Sequence, residues 1–181
     1  DSTDPFARPN SPNNALGAHS QWQGPLKLAV INPDQIAFFG DADYADAYHE
    51  TIDRIEKDNV QLIPIDFEPF VTAANQLYDG PWITERYIAI SELFEKSPDI
   101  ILPVTRAIIG AGKGRYATEV YESIYRLASL RNQCLTALSD CDALLTPTAG
   151  KHFSLRELEA DPVGHNQCLG HYTNYMNLLD M

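Results

Sequence analysis

The segment YDGPWITERY at positions 78–87 brings a phenol, an indole and a guanidinium to one turn of the chain. Gly80 stands where a helix C-terminus favours a left-handed residue, and Pro81 stands where a following helix favours a preset φ. Arg86 then falls within the first two turns of that helix, so its fork can point back toward Tyr78. These two donors together suit a carboxylate, and the spacing therefore suggests an anion pocket. The commoner arrangement also fits: Tyr78 ends a buried stripe and Arg86 pairs with a nearby acid.

No other residues form a visible nucleophilic centre. A serine elbow would read G-x-S-x-G, and no serine in this sequence is flanked in that way. Cys134 lies on the apolar stripe of a predicted helix, which favours a packed core thiol over a catalytic one. Cys141 and Cys168 receive the same interpretation. An α/β-hydrolase mechanism therefore has no candidate nucleophile here.

Two further motifs have the residue types of a ligand site but not the spacing. The glycine-rich run at 110–114, GAGKG, lacks a preceding strand, the four-residue gap and the Ser or Thr of a phosphate loop. It is predicted to be an interhelical loop. His152, His165 and His171 share a loop-rich stretch without i, i+4 pairing or a carboxylate ligand motif. We therefore predict no metal site.

The composition indicates a folded, acidic protein. The chain has 181 residues, 44% of them hydrophobic and 21% charged, and its formal net charge is −12. This charge repels phosphate backbones, so nucleic acid and anionic membranes are poor partners. Three cysteines without metal spacing indicate reduced thiols and a cytoplasmic protein, and no apolar run is long enough to span a bilayer. The start at Asp1, without Met or a secretory signal, is expected not to be a natural N-terminus.

Periodicity predicts short strands alternating with amphipathic helices. Residues 1–25, rich in proline and polar residues, are predicted to be an extended linker. Strands are predicted at 26–31, 60–66 and 143–148, and helices at 43–58, 70–78, 81–96, 99–109 and 118–139, with one turn near Arg156 and a weak helix at the end. Pro64 cannot donate a hydrogen bond to a sheet, so the second strand is predicted to lie at an edge or to contain a bulge. Thr118 is the predicted N-cap of the longest helix. The buried face of that helix is predicted to include Tyr121 and Ile124. The alternation indicates an α/β layered sheet, helix-rich and incomplete, because three strands leave much apolar helix surface uncovered.

Four segments carry a resemblance to a known family. These are FGDADY at 39–44, LYDGPWITERY at 77–87, LLTPTA at 144–149 and YTNYMNLLD at 172–180, and DPF at 4–6 also fits. In order and approximate spacing they resemble the allophanate hydrolases, a branch of the amidase signature family. The resemblance covers nearly the whole chain. It implies that residues 26–181 are a partial amidase domain, with an α/β/α layered fold and a mixed sheet.

The resemblance also implies a reaction, with the catalytic residues and the substrate-binding residues in different parts of the domain. Allophanate (urea-1-carboxylate) is hydrolysed to ammonia and carbon dioxide in urea degradation, by a serine activated through a second serine and a lysine. This chain lacks that Ser-Ser-Lys core, which is expected upstream of Asp1. The family's carboxylate clamp falls on Tyr78 and Arg86. No cofactor is implied, and the expected partners are the small anionic substrate and the remainder of the amidase domain. Urea carboxylase and a second copy of the chain are further candidates.

Two other functions stay open at this point. The chain could be a free-standing acidic module that captures a small carboxylate or a protein partner without catalysis. It could also be a complete hydrolase of an unfamiliar kind, although no nucleophile supports that alternative. Roles for Thr146 and Asn174 at a substrate are left open by the sequence.

Overall fold

The protein is described here from a computed structural model, which covers residues 25–58 and 60–181. The predicted linker at 1–25 thus lies outside the described residues, except for Pro25. Three parallel strands, β1 (Leu26–Ile31), β2 (Val60–Ile65) and β3 (Ala143–Leu145), form a sheet in the order β2-β1-β3. All three were predicted. The antiparallel pairing of a mixed sheet is not among the described residues.

The ends of the strands follow from their prolines. Pro64 lies opposite Val30, on a strand at the edge of the described sheet, as its missing N–H requires. Strand β3 ends at Leu145, short of the predicted 148, because Pro147 cannot donate to a sheet ladder. Strand β1 is central, and Ala29 and Ile31 on it are buried.

The helices alternate with the strands and then dominate the second half of the chain. They are α1 (Ala42–Glu56), α2 (Glu68–Asp79), α3 (Ile83–Lys96), α4 (Pro103–Gly110), α5 (Ala117–Ala137), α6 (Leu155–Ala160), α7 (Gly164–Gly170) and α8 (Asn174–Leu179). The helix predicted at 99–109 is instead a 3-10 turn at Pro98–Ile100 followed by α4, which begins at Pro103 because proline needs no N–H partner there. Helix α7 was not predicted, since its sequence is polar and rich in glycine.

Helix α5 differs from its prediction at both its cap and its stripe. The Glu119 carboxylate accepts a hydrogen bond from the Tyr116 N–H at 3.2 Å, so the helix begins before Thr118. Tyr121 is 59% exposed and Ile124 40% exposed, and the helix buries only Leu130 and Cys134. The predicted stripe is therefore wrong over the first half of the helix, which has no neighbour against that face among the described residues.

Aromatic side chains join the sheet, α2 and α8 into one core. The rings of Phe67 and Phe70 stack at 5.1 Å, and Tyr175 of α8 meets both of them edge-on. The Tyr172 hydroxyl accepts from the Ala37 N–H at 2.7 Å and donates to the Ala37 carbonyl at 2.8 Å. The loop that follows β1 is thereby tied to the segment that leads into α8.

We expect Tyr172→Phe to lower the free energy of unfolding by about 1–3 kcal/mol, because it leaves both polar groups of Ala37 without their partner. Guanidinium chloride titration followed by circular dichroism measures the loss. Tyr121→Phe is the matched control, since its exposed ring is expected to change stability by less than about 0.5 kcal/mol. Equal losses in the two variants would contradict this role of the hydroxyl.

We also expect the thiol of Cys134 to resist alkylation in the folded chain. Its side chain is fully buried, and burial raises its pKa to about 11. The native chain at pH 8 should therefore react through the partly exposed Cys141 and Cys168 only, and Cys134 should react once denaturant is added. Mass spectrometry of the labelled peptides distinguishes the three sites. Rapid labelling of Cys134 in the native chain would show that this core is open.

Candidate functional site

At the corner between α2 and α3, the backbone at Gly80 passes close to the backbone of the last turn of α2. The Gly80 N–H donates to the Gln76 carbonyl at 3.0 Å, and a Cβ at this position would lie 2.5 Å from that oxygen. Its φ of −87° and ψ of 177° are extended. The prediction of a left-handed residue at Gly80 is therefore wrong, and the glycine is required for space instead.

The start of α3 is held against the glycine-rich loop. Pro81 lies two residues before the first helical residue, not at the helix start, and its carbonyl accepts from the Thr84 N–H at 2.8 Å. The Thr84 hydroxyl donates to the Gly112 carbonyl at 3.0 Å. A Cβ on Gly112 would lie 2.6 Å from the Ile83 carbonyl oxygen, so the loop can approach this closely only with glycine there. The run at 110–114 thus has a packing role at this corner.

The two predicted clamp residues lie on either side of this corner. Tyr78 is half-buried in the last turn of α2, and Arg86 is exposed near the start of α3. Across residues 25–58 and 60–181, no hydrogen bond or ion pair joins either side chain to another residue. The arginine therefore has no acid partner in the described structure, unlike the commoner arrangement that its spacing allowed.

An acidic side chain further along α3 is already paired. Glu95 accepts from the Tyr87 hydroxyl at 2.6 Å and from the Lys113 ammonium at 2.6 Å. Lys113 lowers the pKa of the Glu95 carboxyl, and the carboxylate in turn raises the pKa of Tyr87 and of Lys113. Glu95 stays ionised through these contacts, and its charge is balanced by Lys113 rather than by Arg86.

A polar cavity adjoins the same corner. It has a volume of about 530 Å³ between α2 and α5, and Gly80, Pro81, Arg115 and Arg126 are among the residues that line it. Tyr78 and Arg86 are not lining residues of this cavity. Gln76, also in its wall, is 6% exposed, and neither atom of its amide finds a partner in the described part of the chain. Sequence reasoning missed Gln76, although a polar residue on a face with Ala73 was an available signal.

The remaining sequence candidates occupy structural positions. His165 Nδ1 lies 2.8 Å from the Glu157 carbonyl oxygen, and its ring packs on Phe153 at 4.4 Å. His171 is enclosed by aromatic rings, and this burial lowers its pKa. Within the described ranges, no group of three His, Cys, Asp or Glu side chains could hold a metal ion.

Of the two residues left open by the sequence, Thr146 contacts α8 and Asn174 belongs to it. Burial raises the pKa of Tyr175, and a hydrogen bond with Thr146 partly opposes this rise. Asn174 is the first residue of α8 and is half-buried. Among the helices that the structure describes, none is long and apolar enough to cross a membrane.

The curated proteins that this chain resembles in sequence are urea amidolyases. No family model matches the chain. It is 28% identical over 180 residues to a urea amidolyase of Lachancea kluyveri and 25% identical over 177 residues to a urea amidolyase of Saccharomyces cerevisiae. These matches cover 98% and 94% of this chain but 10% of each relative, so the chain spans about a tenth of their length.

The solved structures that resemble this chain include an allophanate hydrolase and a urea amidolyase. A selenomethionine-substituted allophanate hydrolase of Kluyveromyces lactis superposes with a TM-score of 0.83 at 26% identity, over 89% of this chain and 26% of that one. The urea amidolyase of K. lactis superposes with a TM-score of 0.84 at 26% identity, over 89% of this chain and 10% of that one. These neighbours confirm the helix-rich α/β fold that was predicted. In sequence and in fold, the chain matches a portion of allophanate hydrolase over most of its length.

Proposed function

We propose that this chain is the substrate-recognition portion of an allophanate hydrolase, in which Tyr78 and Arg86 bind the substrate carboxylate. The enzyme hydrolyses allophanate to ammonia and carbon dioxide in urea degradation, and the Ser-Ser-Lys core belongs to the remainder of the amidase domain. The observation that carries the proposal is that Arg86, beside the Gly80 corner, pairs with no acid among residues 25–58 and 60–181, in a chain that matches allophanate hydrolase over most of its length.

The charge balance of the chain supports a ligand for Arg86. The sequence holds 25 acidic residues against 13 Lys and Arg, so an exposed guanidinium has many candidate partners. Arg106, by comparison, pairs with Asp99 at 2.8 Å. Arg86 pairs with no described acid, and Glu95, further along α3, pairs with Lys113 instead. A guanidinium without an acid partner in the described part of the chain is available to an incoming carboxylate.

The chemistry of the two side chains suits allophanate. An ionised carboxylate only accepts hydrogen bonds, and the guanidinium offers it two parallel donors while the phenol offers a third. An uncharged amide would leave the guanidinium without its counter-charge, which disfavours that substrate. The fixed Gly80–Pro81 corner holds the two helices that carry the donors, so little ordering is needed when substrate binds.

The lack of a nucleophile–base pair supports placing catalysis elsewhere. Among the described residues, no Ser, Thr or Cys hydroxyl or thiol is hydrogen-bonded to a His or Lys. Burial raises the pKa of Cys134 to about 11, which makes it a poor nucleophile. This portion would therefore bind the substrate while another portion cleaves it.

Arg86→Lys, in an enzyme that contains this chain together with the catalytic portion, should raise the KM for allophanate roughly 10- to 100-fold, with a smaller effect on kcat. Lysine keeps the charge but loses the two-pronged contact, and substrate and transition state share that contact. Steady-state ammonia release measures both constants. Arg156→Lys, at an exposed position of α6, is the matched control and should behave as the unsubstituted enzyme. An unchanged KM in Arg86→Lys would refute the clamp.

The 181-residue chain by itself should bind malonate, a stable dicarboxylate, and release no ammonia from allophanate. Calorimetric titration and an ammonia assay on the same preparation check the two outcomes. Ammonia release by the chain alone would favour a complete hydrolase. If the joined enzyme is also inactive toward allophanate while malonate still binds, the chain is a non-catalytic carboxylate-binding module.

A further inference from the structure

Trp82 carries an unexplained polar group at the corner. Its indole Nε1 is buried, and no acceptor reaches it in the part of the chain that the structure describes. Buried donors without acceptors are uncommon in folded proteins, because the hydrogen bond to water is lost without replacement. An indole N–H can only donate, so the missing partner must be an acceptor.

The position of Trp82 links it to the two clamp residues. Tyr78 precedes it by four residues and Arg86 follows it by four. Trp82 already has helical dihedral angles, with φ −59° and ψ −23°, immediately before the first residue of α3. Residues four apart on a helix share a face, so Arg86 lies one turn further along the face that starts with Trp82.

Gly80 packs closely against the N–H edge of the indole. A Cβ at Gly80 would lie 3.2 Å from Trp82 Cδ1, the ring atom bonded to Nε1. No side chain therefore covers this edge from position 80. The N–H edge of the indole therefore lies beside the Gly80 turn, which stands between Tyr78 and Arg86 in the chain.

We propose that the Trp82 Nε1–H is a third donor to the substrate carboxylate and a specificity-determining group of the clamp. This inference rests on the proposed function. A carboxylate has about four acceptor positions, of which the arginine fork uses two and the phenol one. The indole takes a further one. An uncharged amide presents only one acceptor oxygen and turns its own N–H groups toward donors, so a third donor strengthens the preference for an acid.

Fluorescence offers a direct test, because the chain has only two tryptophans. In Trp22→Phe the emission arises from Trp82 alone, and it should change saturably as malonate is added. Trp82→Phe keeps a ring but loses the donor, and it should weaken malonate binding about tenfold in calorimetry, since a hydrogen bond to a charged group is lost. Trp22→Phe is the matched control and should bind malonate as the unsubstituted chain does.

Nuclear magnetic resonance of the unsubstituted chain covers the case in which Trp82→Phe fails to fold. The indole N–H resonance of Trp82 should move downfield with malonate and stay in place with malonamide, its uncharged counterpart. If malonate binds, and Arg86→Lys weakens it while the Trp82 resonance and the Trp82→Phe affinity stay unchanged, the third donor is refuted and the clamp stands. If malonate does not bind the unsubstituted chain, both the clamp and the third donor are refuted.

Discussion

The stacked aromatic core is the interaction on which the placement of the candidate site depends. Phe67 and Phe70 open helix α2, and Tyr175 of α8 packs edge-on against both rings. Because α2 leaves the sheet through this cluster, the cluster sets the direction of the helix and the location of its last turn. The positions of Tyr78 and the Gly80 corner therefore depend on the aromatic contacts at the opposite end of α2.

Close backbone contacts then convert that placement into a rigid corner. Gly80 and Gly112 both stand where a methyl group would collide with a carbonyl oxygen. Thr84 joins the two sites with its hydrogen bond to the Gly112 carbonyl. The glycine-rich loop, which resembles a phosphate loop at first sight, thus serves to seat α3. Glu95 and Lys113 pair with each other, and Arg86 is left outside this pair.

Sequence patterns predicted most elements of this fold, and their errors have physical causes. Strands β1 and β2 and the helices α1 to α3 were predicted because alternating or helical apolar periods mark them clearly. Helix α7 was missed, since its residues GHNQCLG have the composition of a loop. The stripe on α5 was overextended, because periodicity shows which face is apolar but not whether a neighbour covers it.

The sequence predicted the two clamp residues of the candidate site, but it did not predict the buried polar groups around them. Tyr78 and Arg86 came from spacing and from the family resemblance, whereas the buried amide of Gln76 and the indole N–H of Trp82 depend on side-chain packing. The role of Gly80 also escaped prediction. A glycine after a helix is most often chosen for a left-handed conformation, and here it is chosen because the chain passes too close to the Gln76 carbonyl.

The strand order has a consequence for how the chain is made. Strand β1 pairs with β2 soon after synthesis, but its other edge waits for β3, and Lys27 contacts Asp142 across 115 positions. During translation the central strand therefore keeps one open edge until β3, at Ala143–Leu145, has left the ribosome. Open edges of this kind recruit other strands and lead to aggregation. Prompt association of the nascent β1–β2 unit with a chaperone would protect the yield of folded protein.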